Sequence, residues 1–273
     1  MKIASRFTVF GLVFLFLLAA PSVISAASFE FSATAKTAFD KMKGAADKTT
    51  AAKLTSQYAE LQSVQKLTLD WDSRIDKLHY QNEEAVLATR KRIKEIDANK
   101  LLQLESAVAQ AKKKYEPLFR LYDSLNQQLS IAKSFKDKFA TSLLKPQVET
   151  TKAAVQLAKL DIRSKEAALK EAKANTAKSI KKLRDQLGGI DSIKVKIKAS
   201  KSSVSTTKKY FTTETSLLNQ AVKKGDAAAS SGSLARMLAY IKLINEQKQK
   251  TYAYEQQTSS IIAKVDAQIS GYN

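Results

Sequence analysis

The chain has 273 residues with 7 glycines, 3 prolines and no cysteine, and 46 basic against 26 acidic side chains give it a formal charge of +20. So few turn residues exclude a β-rich protein of this length, and the missing thiols exclude disulfides, cysteine nucleophiles, Cys-based metal sites and lipid anchoring through an N-terminal cysteine. The positive excess lies mainly beyond residue 100, and it favours polyanionic partners: anionic lipid, nucleic acid or acidic wall polymer.

Residues 1–27 read as a signal peptide: Lys2 and Arg6 precede an apolar run from Phe7 to Ala20, then Pro21 and the small residues Ser25, Ala26 and Ala27. Cleavage is expected after Ala27. The apolar run is shorter than the roughly 20 residues that span a bilayer, and no later stretch could anchor the mature chain. The product is therefore expected to be secreted, and held at the cell wall, if at all, without a covalent link.

Residues 28–49, with Phe29, Phe31, Phe39 and Met42, read as an N-terminal arm or short helix that ends near Gly44, with Thr49 or Thr50 capping the next element. Residues 50–144 read as one long helical arm. Two interleaved heptad sets run through its second half, one from Leu104 to Phe139 and the other from Val108 to Leu143. Pro117 does not disturb their phase, which predicts a kinked but continuous helix there. Leu143 and Val148 are five residues apart, a phase slip next to Pro146. Because a proline disfavours helix at the residue before it, the chain is expected to reverse at Pro146 and fold 104–143 against 148–187.

The returning helix, 147–224, carries the strongest signal. Every seventh residue is Val148, Val155, Ile162, Leu169, Thr176, Leu183, Ile190, Ile197, Val204, Phe211 and Leu218. Only Thr176 is not a large apolar side chain. A period this regular marks a helix laid along partner helices, a rod of roughly 105 Å if unbroken. Gly188-Gly189 suggests a joint, although the period passes through it unshifted. Residues 193–198 alternate as a strand would but have no strand to pair with. Lys223-Lys224-Gly225 ends the helix, 225–232 reads as a small-residue linker, and Ser233 caps a last helix over 233–273. The expected fold is all-α: an elongated antiparallel coiled-coil hairpin with an additional C-terminal helix packed on it, loosely in its polar middle.

Chemistry-bearing clusters are sparse. His79 is the only histidine, Glu83 and Glu84 splay apart on a helix, and Asp72 and Asp76, one turn apart, have the spacing of many surface carboxylates. The expectation is a non-enzymatic protein with no catalytic residues, cofactor, metal or small-molecule substrate. Lysines flank the seam of the returning helix, and Lys194, Lys196, Lys198, Lys201, Lys208 and Lys209 form the candidate polyanion-binding set, each acting as a point charge. The opposing reading is that such lysines pair with acids on a neighbouring helix or are simply solvated. Nucleic acid fits poorly, because arginine is rare beside lysine and aromatic residues are not interleaved with the lysines. The function expected is therefore a secreted coiled-coil interaction protein that associates with anionic cell-envelope polymers and through its helices with itself. The alternatives are a membrane-active helical toxin, or a coiled-coil adaptor of a cell-wall hydrolase.

Overall fold

The computed structural model describes residues 28–272; the expected signal peptide lies outside them. Among the described residues there are five helices: α1 (Ala33–Ala45), α2 (Lys48–Lys94), α3 (Ala98–Ser134), α4 (Lys138–Lys223) and α5 (Ala227–Ile269). No strand occurs among the described residues, and 193–198 is helical. The all-α expectation holds, with an antiparallel hairpin and a C-terminal helix packed on it. The described chain divides into two compact units, one made of 28–73 with Ser200–Gln249 and the other of Arg74–Ala199 with 250–272.

The seam of α4 organises both units. Nine of its eleven heptad positions are buried, and Ile162 and Leu169 are half-buried. In the first unit Phe211 and Leu218 join Leu54 and Leu61 of α2 and Leu234, Met237 and Ile241 of α5. The N-terminal segment closes this core as a folded element. Phe31 lies 4.9 Å from the Phe39 ring and 5.2 Å from Tyr58, and Ser32 caps α1 by accepting the Ala35 amide at 3.3 Å. Asp47, rather than Thr49 or Thr50, caps α2 by accepting the Thr50 amide at 3.0 Å, and hydrogen bonds from the Thr50 hydroxyl and then its amide hold the Asp47 carboxyl below the usual range.

The expected linker at 225–232 is corrected. Gly225 takes φ +71°, and the amides of Gly225 and Asp226 bond the carbonyls of Val222 (3.1 Å) and Ala221 (2.9 Å), the pairing of a Schellman turn. Asp226 then caps α5, accepting the Ala229 amide at 2.9 Å. The small residues that follow are helix because they let α5 pack closely: Ser230 and Ser231 are buried, and the Ser231 hydroxyl donates to Gln57 Oε1 at 3.0 Å.

In the second unit α3 runs antiparallel to the first part of α4. Leu125 and Leu129 pack on Val148, and ion pairs of 2.6 Å join Glu105 to Lys173 and Lys112 to Glu166. The reversal is at Phe135–Asp137, not at Pro146, which lies inside α4. Lys136 takes φ +55°, its amide bonds Lys133 O at 3.1 Å, and the Asp137 amide bonds Ala132 O at 3.0 Å. Asp137 Oδ1 then accepts the amides of Phe139 (3.0 Å) and Ala140 (2.9 Å) and starts α4. This is the Gly225 turn again, with lysine in the left-handed position. The five-residue slip between Leu143 and Val148 is a change of face, since Leu143 is exposed and Val148 buried.

The 50–144 arm has a further break at 95–97, where Asp97 takes φ +56°. Thr176, the one polar residue of the α4 seam, donates its hydroxyl to Asp97 Oδ2 at 2.6 Å. The polar seam position therefore marks where the facing chain leaves helical geometry. Pro117 sits within α3 and the Gly188-Gly189 pair within α4, so neither is a turn. Gly189 needs no special conformation; a Cβ there would meet Ile261 Cδ1 at an ordinary 3.6 Å.

Asp137→Ala should weaken the start of α4 by about 1 kcal/mol, whereas Lys136→Gly should strengthen the turn by about 1 kcal/mol by relieving the left-handed strain. Hydrogen exchange of amides 130–150 reads both effects. Pro146→Ala should leave the reversal where it is.

Candidate functional site

Two kinds of polar feature stand out: side chains buried between α2 and α5, and lysines on the outside of α4. The α2–α5 pair is parallel, and hydrogen bonds cross it at nearly constant sequence separation. In the first unit Asn245 Nδ2 donates to Val64 O at 3.2 Å, and the buried Lys248 ammonium contacts Asp72. In the second unit Glu255, 2 % exposed, accepts from Asn82 Nδ2 at 2.8 Å and lies 2.8 Å from His79 Nδ1. Ser259 donates to Asn82 Oδ1 at 2.6 Å, and Asp266 accepts from Thr89 (3.0 Å) and Arg92 (2.8 Å). The middle of α5, expected to pack loosely, is thus tied to α2 by buried polar contacts. Such contacts fix register, because a one-turn slide would leave each group desolvated and unpaired.

These contacts also place the acids and the histidine singled out in the sequence. Asp72 is engaged by Lys248, Asp76 is exposed, and His79 lies against Glu255 with its Nε2 3.5 Å from Glu83. A buried carboxylate holding an imidazole and an amide is an orienting arrangement.

The six candidate lysines do not form one set. Within the second unit Lys194, Lys196 and Lys198 are exposed, but Lys196 turns aside, with its ammonium 5.9 Å from the centre of the Tyr254 ring. Within the first unit Lys209 is exposed and Lys201 half-buried, whereas Lys208 leans into the packing of α4 on α2 and α5. Burial, and then the Lys248 charge, push the Lys208 ammonium down to about 8 against a smaller opposing pull from Asp72. The heptad period, which places Lys208 beside the seam, does not reveal that Lys248 and Asp72 share its surroundings. Lys178, Lys181 and Lys182 were outside the sequence-derived set and are all exposed on α4 in the second unit. Phe139 and Leu143, which the heptad sets put into a seam, are exposed because the chain reverses before them.

No known protein family, curated protein or solved structure matches this chain. Its site must therefore be judged on its own geometry.

Lys208 binds its proton less tightly in the folded chain than in the unfolded one, so between pH 8 and the ordinary lysine value of 10.5 the unfolded chain holds more protons. Stability should rise with pH across that window, modestly because the group keeps contact with solvent, and Lys208→Gln should flatten the rise in urea titrations. Glu255→Ala should cost roughly 2 kcal/mol, because it removes the buried carboxylate that Asn82 and His79 share and leaves Asn82 Nδ2 only its 2.8 Å bond to the backbone carbonyl of residue 255, while Glu255→Gln should cost less.

Proposed function

We propose that the chain is an exported, non-enzymatic interaction protein that associates with anionic polymers of the cell envelope through lysines on α4. The observation that carries this reading is a contrast within the second unit. Lys112 and Lys173 are neutralised across the hairpin by Glu166 and Glu105. Lys178, Lys181, Lys182, Lys194 and Lys198 are exposed and have no ion pair among the described residues. Residues 178–198 carry seven basic side chains against Asp185 and Asp191 only. Twenty residues of helix place them along roughly 30 Å, which suits a linear ligand with repeating negative charges. Lysine suits this task, since a point charge on a flexible stem tolerates an irregular polymer.

Export rests on the character of residues 1–27. The proposed association is electrostatic and does not require the seam to open. It should therefore weaken steeply with salt and survive changes in polymer length.

Binding to immobilised poly(glycerol phosphate) should be tight at low ionic strength and lost on the way to 1 M salt, where the screening length shrinks to about 3 Å. Replacing Lys178, Lys181, Lys182, Lys194 and Lys198 with glutamine should weaken it at least tenfold without changing helicity. Retention indifferent to salt, or unchanged in that variant, would overturn the proposal.

A further inference from the structure

The reversal of the hairpin exposes apolar side chains that nothing among the described residues covers. Phe135 is 81 % and Phe139 75 % exposed, the highest values for any large hydrophobic side chain among the described residues. Ile131 and Leu143 continue the same four-residue step on either side of the turn and are 57 % and 53 % exposed. The hairpin core stops short of them, at Leu129, Leu144 and Val148. Two aromatic rings held in water cost stability, and the turn does not need them: its bonds are made by the backbone and by Asp137.

Charge narrows the choice of occupant. Residues 131–145 contain Lys133, Lys136, Lys138 and Lys145 and one acid, Asp137, whose Oδ1 already accepts two amides at the start of α4. All four lysines are exposed. A convex turn that presents aromatic and aliphatic side chains among lysines matches the boundary layer of an anionic bilayer. There the rings sit at the headgroup level while the ammonium groups meet the phosphates. No helix among the described residues is long and apolar enough to cross a membrane, so the geometry suits shallow insertion rather than a span.

We infer that the α3–α4 turn is a lipid-docking tip, with Phe135 and Phe139 inserting into the interface of an anionic bilayer and Lys133, Lys136, Lys138 and Lys145 binding its headgroups. This goes beyond the polymer reading and uses other residues, so the two stand or fall separately. Each lysine should contribute about fivefold to partitioning onto a strongly anionic surface, and each phenylalanine about tenfold when much of its ring leaves water.

The test uses the full chain with vesicles of phosphatidylglycerol and phosphatidylcholine, and with vesicles of phosphatidylcholine alone. Phe135→Trp provides a local probe, and the unsubstituted chain, whose one tryptophan is Trp71, gives the background. The tip tryptophan should shift to shorter wavelength and be quenched by headgroup-proximal nitroxide lipids, on the anionic vesicles only. Phe139→Ala in that background should lower the partition coefficient about tenfold, and Lys133→Gln with Lys138→Gln about twenty-five-fold, with the circular dichroism unchanged. Three results would each overturn the inference: no emission shift on anionic vesicles, an equal shift on neutral ones, or a concentration-dependent dimer without lipid that Phe135→Ala with Phe139→Ala dissolves. The last would mean that a second copy of the chain covers the tip.

Discussion

Everything in this fold depends on one apolar line along α4. In a folded protein most of the stability of a long helix comes from the faces that it buries rather than from propensity, and α4 is 86 residues long. The seam supplies them in each unit, against α2 and α5 in the first and against α3, α2 and α5 in the second. With no disulfide to restrain the unfolded chain, the seam and the polar contacts that fix its register have no covalent substitute.

Apolar contacts resist separation but discriminate weakly between neighbouring registers, and here polar groups supply that discrimination. Thr176 and Asp97 fix the place where the chain facing α4 changes from α2 to α3. Glu255, Asn82 and His79 fix α5 on α2 in the second unit, and Lys248 with Asp72 does so in the first. Each buried group would be costly to strand, so each penalises a slipped alignment more than it stabilises the correct one. His79 and Asp72 belong to this division of labour, since each takes part in holding α5 on α2.

The heptad of α4 was legible because burial enforces it at nine of its eleven positions between Val148 and Leu218. The turns were legible only where their chemistry was conspicuous. Lys223-Lys224-Gly225 announces a stop, and the left-handed φ of Gly225 confirms it. The same motif at 135–137 uses Lys136, a residue with no turn signature, whereas the nearby residue that does carry one, Pro146, is absorbed into α4. Asp226 and Asp137 carry no cap signal in the heptad pattern because each directly precedes a helix start, Ala227 and Lys138, that the periodicity places later, at Ser233 and beyond Pro146. Among the lysines, periodicity gives each residue's angle to the seam but not what waits across it, and so Lys208 could not be told from Lys194. The exposed phenylalanines of the tip were hidden by the same error: once the reversal is misplaced, Phe139 looks like a seam residue.

The pairing of α3 with α4 is the part of this account that a single distance can decide. The chain has no cysteine, so introduced pairs report without background. Lys112→Cys with Glu166→Cys replaces an ion pair of 2.6 Å across the hairpin. Lys112→Cys with Ser179→Cys instead matches a hairpin that reverses at Pro146. With a short bismaleimide at low protein concentration, the first pair should cross-link within one chain at high yield and the second should not. Efficient linking of 112 to 179, with little between 112 and 166, would contradict the seam described here.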